Sequence, residues 1–489
     1  MKITRGARTT MNRRKRHGKT SKLAKVRCTY FNEPSLEFGS GREHVSPKMG
    51  IALFGPRSLD LTQRHPSTIK VGFVGSGESI ELARSWISSC LPCVEGDDVH
   101  LEFPGFQEDR GFFSALLMND DWVESITRHE ISSVSRLRLR KDRFAHAVEV
   151  VSDKLRLLSQ KDRLPDYVVL ALPDDLLEHC KVVDFRDPEL GNVHRDFRRA
   201  IKSEAMKYHL PTQILLQRTT EALPGARNVD HKSRCAWNFF TGLYFKAGGI
   251  PWSPKGLTPG TCYVGISFYR PLGSKAGIIR TSVAQAFDEH GDGLVLRGQD
   301  FPWDENKQGR SPHLDEERAR DLIEMVLKRY TDEMRQIPSR VVIHKSSRFW
   351  PEERLGFEKA LTGIRQFDLV AVHPTSEIRL LRAGQYPPLR GTRFSVGTIH
   401  FLYTTGFISA LNAYPHGHVP SPLQIADHIG DSSIETLLEE ILILTKMNWN
   451  SASFAGLMPI TLRFSRLVGD IMREIPYNRD PLPQFKYYM

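Results

Sequence analysis

Arg198 and Lys202 stand four residues apart in the stretch HRDFRRAIKSEAMKYH, so on a helix they share one face. Gln213 opens the apolar run Gln213–Gln217. Lys246 closes a second amphipathic stretch, roughly Ser233 to Phe245, just ahead of the C-cap signal Gly248-Gly249. Two cations, an amide and a third cation brought together from three elements suit a terminal phosphate. Such an anion takes several short, charge-assisted donors, and the amide reaches a neighbouring oxygen or base edge. His194 also stands four residues from Arg198, which makes it a further candidate. The competing reading is a helix over 194–209 that shows water a basic face, as charge runs usually do.

These residues need a scaffold, and the pattern around them supplies one. Thr68–Gly75 is an apolar strand followed by Ser76-Gly-Glu-Ser79 and a helix to about Ser89. A helix around Asp142–Ser159 precedes the strand Asp166–Leu172. Strand and helix alternate in this way through a doubly wound, Rossmann-like unit over about 60–250. Gly72, Gly75 and Gly77 lack the third helix glycine of a dinucleotide fingerprint and any Gly-Lys-Ser/Thr, so an ordinary strand-to-helix turn accounts for them. Beyond Thr258 a second α/β unit begins. It has a central strand Cys262–Arg270 with Gly293–Arg297 as its hairpin partner, a helix Glu316–Met334, strands Arg340–His344 and Phe367–Val372, and helices Ile434–Met447 and Ile460–Glu474. Residues 28–60 carry short strand-like pieces, Glu33–Gly39 and Lys48–Pro56, punctuated by Gly and Pro.

The whole chain bounds its function classes. It has 489 residues, enough for two or three domains, and an ordinary globular balance of 40% hydrophobic and 26% charged residues. The net charge of +11 is concentrated: residues 1–27 hold eleven Lys or Arg and no acid, so the remaining 57 basic residues (68 − 11) cancel 57 acids. That tail reads as disordered and able to hold nucleic acid nonspecifically, and it has no apolar core of a signal peptide. No apolar run reaches the 18 or so residues of a membrane span, so a cytoplasmic protein is expected. Cys90-Leu-Pro-Cys93 is a single CxxC without a second pair, and His416-Gly-His418 has no third ligand, so neither makes a metal site. Asp174-Asp175 suits a helix start, and no Gly-x-Ser-x-Gly elbow is present.

The order of these features resembles a known family. A basic helix, Thr212-Gln213 before a strand, and Asn238 seven residues ahead of Phe245-Lys-Ala-Gly-Gly249 resemble the junction of the MID and PIWI domains of Argonaute proteins. Pro387–Thr392, Thr404–Phe407, Asn448-Trp-Asn-Ser451 and Pro459-Ile-Thr461 add local matches, so the resemblance covers about residues 30–489. It implies a Rossmann-like MID domain at 61–252 after a lead-in at 28–60, and an RNase-H-like PIWI domain at 253–489. No N or PAZ domain is accommodated, which is the short prokaryotic form. The family's 5′-phosphate motif maps onto Arg198, Lys202, Gln213 and Lys246. Relatives also bring their C-terminal carboxylate, here Met489, to that pocket, often through Mg²⁺.

The resemblance further implies a PIWI domain that does not cut. Slicing relatives hold two Mg²⁺ on four acidic or His/Asp ligands. Where the first aspartate belongs, this chain has Gly265-Ile-Ser267; where the second belongs, His344-Lys345-Ser346; and near the last, Asn448 and Asn450. A serine brings no carboxylate, and a lysine adds repulsion to a dication site. Asp288, Glu289, Asp292 and Asp300 fall in one stretch and cannot replace ligands on separate strands. The implied role is recognition: a short 5′-phosphorylated guide, RNA by expectation, pairs with a complementary strand, single-stranded DNA by expectation. Output is then expected from a partner with an APAZ region and a TIR, Sir2 or nuclease effector, in defence against plasmids or phage. The alternatives are a nucleic-acid-binding module that loads no guide, and an RNase-H-like metal-dependent nuclease with non-standard ligands.

Overall fold

The computed structural model describes residues 26–489 apart from 62–63, 189–190, 222–228, 273–276, 287–292, 416–418 and 477–478. The basic tail therefore falls almost wholly outside the described residues, as do His416, His418, Asp288, Glu289 and Asp292.

The first half is built on a parallel sheet. Its central strand, Thr68–Gly75, pairs with Tyr167–Ala171, which in turn pairs with Thr212–Ile214; Ala115–Leu117 and Val123–Ser125 pair with successive parts of the central strand. Ile69, Val71, Phe73 and Val74 are buried, as expected for a strand covered on both faces. Ser76 caps the helix Gly77–Ser88 by accepting from the Ser79 N–H at 3.1 Å. Gly75 has a packing reason to be glycine: a Cβ there would lie 1.9 Å from the Ala171 carbonyl oxygen of the neighbouring strand.

The second half is a mixed nine-stranded sheet. In spatial order its strands are Cys28–Tyr30, Thr392–Val396, Ile399–Leu402, Leu423–Gly430, Gln366–Pro374, Arg340–Lys345, Thr261–Tyr269, Ile278–Ala286 and Leu294–Pro302. Helices Glu316–Met334 and Pro351–Ala360 pack on one face through Leu322, Ile323, Val326 and Phe357. Ile434–Leu444 and Ile460–Met472 belong to the core on the other face. Thr261–Tyr269 runs parallel to Arg340–Lys345, with Ile266 opposite Lys345.

One apolar core joins the two halves. The helix Lys232–Lys246 contributes Trp237, Phe239, Phe240 and Tyr244, in one cluster with Phe73 and Tyr167 of the parallel sheet and Tyr263 and Val342 of the mixed sheet. The lead-in also bridges the halves. Leu36–Glu37 pairs with Ser253–Pro254, Cys28–Tyr30 edges the large sheet, and the Glu33 carboxylate accepts from Arg390 Nε and Lys446 Nζ, each at 2.9 Å. Both cations are buried and share this one acid, with main-chain carbonyls of Leu442 and Pro34 taking further hydrogen bonds from them.

Three local expectations are corrected. Lys48–Pro56 is not strand-like: Ser46 caps a helix Pro47–Phe54, accepting from the Met49 N–H at 3.4 Å, with proline at its first position. The basic helix does not begin at 194. Residues Gly191–Asp196 are a strand paired with Val182–Asp187, and the helix runs Phe197–Met206 from its Asp196 cap. The hairpin partner of the central strand is Ile278–Ala286, and Leu294–Pro302, which contains most of the predicted Gly293–Arg297, pairs one strand further out.

Candidate nucleic-acid interface

Helix Phe197–Met206 buries Phe197, Ala200, Ile201, Ala205 and Met206, an apolar stripe of helical period that fixes its rotation. Arg198 and Lys202 are thereby set on the other face. The Asp196 side chain accepts from the Arg199 N–H at 3.1 Å and anchors the first turn. From the second half of the junction, helix Lys232–Lys246 ends at Ala247, and Gly248 takes a φ of 105° that a side chain would resist. This stop leaves Lys246 on the last turn, pointing at the strand that starts at Thr212.

The two lysines converge. Lys202 Nζ donates to the Thr212 carbonyl at 3.2 Å and to the Met489 main-chain oxygen. Lys246 Nζ donates to the same Thr212 carbonyl at 3.3 Å and to Gln213 Oε1 at 2.8 Å. Arg198 is exposed and has no hydrogen bond or ion pair among the described residues. No Asp or Glu side chain among them bonds any of these three cations. Burial, with the charge of Arg198 added, pushes the Lys202 ammonium down to about 7. Burial, then Lys202 and Arg198, hold Lys246 well below the ordinary lysine range. The cluster is thus a basic site with no Asp or Glu bonded to it among the described residues and with donors aimed inward.

Gln213 Oε1 and the Met489 oxygen are hard ligands of the kind Mg²⁺ accepts. Each already takes a hydrogen bond from a lysine Nζ, a contact that a dication would have to displace.

His194 is not part of the cluster. On its strand it has lost the helical spacing to Arg198, and its Nδ1 lies 2.7 Å from Asp184 Oδ1 on the exposed ribbon. Asn450 is placed near Gln213. A Cβ on Gly242, in the helix that ends at Lys246, would lie 3.4 Å from Gln213 Oε1 and 3.6 Å from Asn450 Oδ1. Asn448 Oδ1 accepts from the Asn450 N–H at 3.3 Å, and Asn238 Oδ1 accepts from the Ala452 N–H at 3.1 Å, so this loop is packed on helix Lys232–Lys246.

Ser267 lies at the end of its strand, where its hydroxyl donates to the Ser465 carbonyl at 2.6 Å. Lys345, on the adjacent strand, is turned away into the protein. Its Nζ donates to Glu353 Oε1 and Oε2 at 2.6 and 2.5 Å and lies 2.9 Å from His313 Nδ1. The repulsion expected of this lysine toward a cation at Ser267 is therefore cancelled by Glu353, which sequence spacing did not reveal. Asp300 is likewise spoken for, accepting from Arg280 Nη2 at 2.7 Å.

The described residues include one His/Asp group, Asp97, His100 and His231, with ligand atoms all within 4.8 Å. The two imidazoles stack with ring planes 7° apart. Ligand lone pairs lie in the ring plane, so parallel rings do not both aim at one ion. Cys90 is buried and Cys93 exposed, and both are free thiols. No helix of the described residues is long and apolar enough to cross a membrane.

No protein-family model matches the chain, and no curated protein matches it in sequence. Solved structures do match. Clostridium butyricum Argonaute, bound to a guide DNA and a 19-mer target DNA, superposes with a TM-score of 0.65 over 94% of this chain at 16% identity. Drosophila Piwi superposes at 0.57 over 94% with 13% identity, and Marinitoga piezophila Argonaute, in complex with a 5′-OH guide RNA, at 0.56 over 92% with 13% identity. The chain spans about half the length of these relatives, 55%, 56% and 60% of each in turn. Over nearly all its length, this chain has the α/β fold of Argonaute proteins, a Rossmann-like sheet followed by an RNase-H-like one.

Proposed function

We propose that the chain is a short Argonaute of MID (61–252) and PIWI (253–489) domains that holds a guide strand by its 5′ phosphate and pairs it with a complementary strand. The observation that carries this is the pair of ammonium groups on Lys202 and Lys246, sharing the single Thr212 carbonyl beside Gln213 and an unpaired Arg198. Burying such an ammonium, with Arg198 beside it and no Asp or Glu bonded to it, costs free energy: the depression of Lys202 corresponds to on the order of 5 kcal/mol at about 1.4 kcal/mol per pKa unit. A terminal phosphate, with close to two negative charges, offsets that cost in one step and is held by the ammonium groups directly. Sequence is then read by base pairing, while the protein reads phosphate and duplex shape.

In this reading the PIWI domain does not cut. Ser267 brings a hydroxyl, and Lys345 an ammonium held by Glu353, at the chain positions where the resemblance places carboxylates of a two-metal site. Output belongs to an associated APAZ-containing effector of TIR, Sir2 or nuclease type, switched on by target pairing in defence against plasmids or phage. RNA guide and single-stranded DNA target are the proposed pair.

The test is to purify the chain from cells and sequence the nucleic acid that comes with it. Short strands of narrow length with 5′ phosphates support guide loading, and their sugar identifies the guide. Long heterogeneous fragments lost at high salt favour a binder driven by tail 1–27. Lys246→Glu, which leaves Lys202 as an internal partner for the new acid, is expected to abolish preference for 5′-phosphorylated over 5′-hydroxyl oligonucleotides. An unchanged preference sinks the pocket.

A further inference from the structure

Residues 136–143, Arg-Leu-Arg-Leu-Arg-Lys-Asp-Arg, turn the corner between helices Arg128–Arg136 and Arg140–Ser159. The side chains of Arg136, Arg138, Arg140 and Lys141 are exposed and make no hydrogen bond or ion pair among the described residues. The second helix opens on Arg140 and Lys141, the sign of charge that a helix start disfavours, and its cap residue Leu139 offers no side-chain bond. Leu139 itself is 55% exposed. The corner is nevertheless held firmly. Thr127 and Glu130 form a capping box on the first helix, and its Ser133 Oγ lies 2.9 Å from His146 Nε2 of the second. Four unmet cations around an exposed leucine, kept at a local cost, fit an acidic surface with an apolar tip.

The chain carries such a surface. Residues 95–109 hold six acids and no Lys or Arg. Glu95, Asp98 and Glu108 are exposed and make no hydrogen bond or ion pair among the described residues, and Val99 beside Asp98 is 83% exposed. The tip is preset, so docking it costs little freedom. Asp97 Oδ1 accepts from the Val99 and His100 N–H groups at 2.8 and 2.6 Å, and Val94 and Phe103 exchange main-chain bonds at the loop's base. The sheet keeps loop and corner apart. Ala115–Leu117, which the loop feeds, pairs with the first three residues of the central strand, and Val123–Ser125, which leads to the corner, pairs with the last three. Both pairings are parallel, so the loop enters at one end of the strand and the corner leaves at the other, roughly 26 Å away for 8 residues.

We infer that the acidic loop of one copy docks on the basic corner of a second copy, with Val99 against Leu139 and Glu95, Asp98 and Glu108 among the four cations. The inference is independent of guide binding. The two surfaces differ, so the contact is head to tail and each added copy presents a fresh surface, which leads to a ring or a short filament. Ion pairs at a surface are individually weak and screened by salt, so the association is reversible and belongs to low ionic strength.

The experiment is sedimentation of the full chain, stripped of nucleic acid, over a concentration series at about 0.05 and about 0.5 M salt. At low salt the average mass is expected to rise with concentration beyond the dimer, and at high salt to return to the monomer. R138A/R140A and E95Q/D98N are each expected to weaken self-association about tenfold, with unfolding midpoints like that of the parent. Mixed in equal amounts, the two variants should form a dimer that grows no further, since each supplies the surface the other lacks. That rescue also shows that both variants fold. A parent chain that stays monomeric at low salt overturns the inference, as do variants that assemble like the parent. Two weakened variants with no rescue on mixing overturn the pairing of these two surfaces. Assembly that appears only when an oligonucleotide is added, and is lost in R138A/R140A, makes the corner a nucleic-acid surface and overturns the second copy as its occupant.

Discussion

Binding of a 5′ phosphate at the lysine cluster is expected to take up a proton, and its affinity to fall as pH rises above 7. In the free protein Lys202 is pushed down to about 7 by burial and by Arg198, and Lys246 lies well below its ordinary range. Between pH 7 and 9 a phosphate monoester is already almost fully dianionic, since its second pKa is near 6. The titrating partner is thus the protein. A bound dianion restores the ammonium form, so each pH unit above 7 costs up to about 1.4 kcal/mol, or tenfold, per lysine protonated on binding. For Lys202 alone the advantage of a 5′-phosphorylated over a 5′-hydroxyl strand should shrink by up to about a hundredfold from pH 7 to pH 9. Uptake by Lys246 steepens the fall.

The free protein should respond in the opposite direction. The folded pKa of Lys202 lies below its unfolded value, so between about 7 and 10.4 the unfolded chain binds more protons and stability rises with pH. Lys48 and Lys446, both pushed down to about 8 mainly by burial, add to that rise. Lys202→Met removes its own share and identifies it. Anisotropy titrations at constant ionic strength, with calorimetry in two buffers of different ionisation enthalpy, measure discrimination and proton uptake together. A discrimination ratio that is flat from pH 7 to 9, with no proton uptake, refutes this account of the cluster.

The remaining predictions concern the scaffold. Asp368 accepts from Arg340 Nη2 and the Ser432 N–H, each at 2.9 Å, and from His428 Nε2 at 3.0 Å. Asp368→Ala strands the buried Arg340 with Glu440 alone and should cost about 3–5 kcal/mol in denaturant unfolding. Although burial opposes it, these hydrogen bonds hold the Asp368 carboxyl well below the usual range. Its contribution is present above about pH 4, the unfolded value, and is lost as pH falls toward the folded one, so Asp368→Asn should flatten the acid limb of the stability profile. A Cβ on Gly265 would lie 2.1 Å from the Thr461 carbonyl oxygen, so Gly265→Ala should separate strand Thr261–Tyr269 from helix Ile460–Met472 at about 1–3 kcal/mol. Equal unfolding midpoints for variant and parent would remove that contact from the argument.

How much of this was legible in the sequence depended on whether a signal was local. Glu316–Met334 carries acids on its first turn, an Asp315 cap and a regular apolar stripe, and it forms with those bounds. The boundary at 194 failed because Asp196 is a helix cap and the residues before it pair in an antiparallel ribbon with Val182–Asp187, which charge spacing does not encode. Lys202 and Lys246 could be assigned to one site only through resemblance, since 44 residues and a strand separate them. The structure supplies the reason they meet, the shared Thr212 carbonyl.

The same limit applies around Ser267 and Lys345. Sequence showed that Ser267 and Lys345 bring no carboxylate, but it could not show that Glu353, eight residues on, folds back to neutralise the lysine. Nor could it show that Arg466 and Arg473 arrive from the far end of the chain, facing a groove whose acids are already paired. Both are meetings of side chains in space, which residue spacing along the chain does not carry.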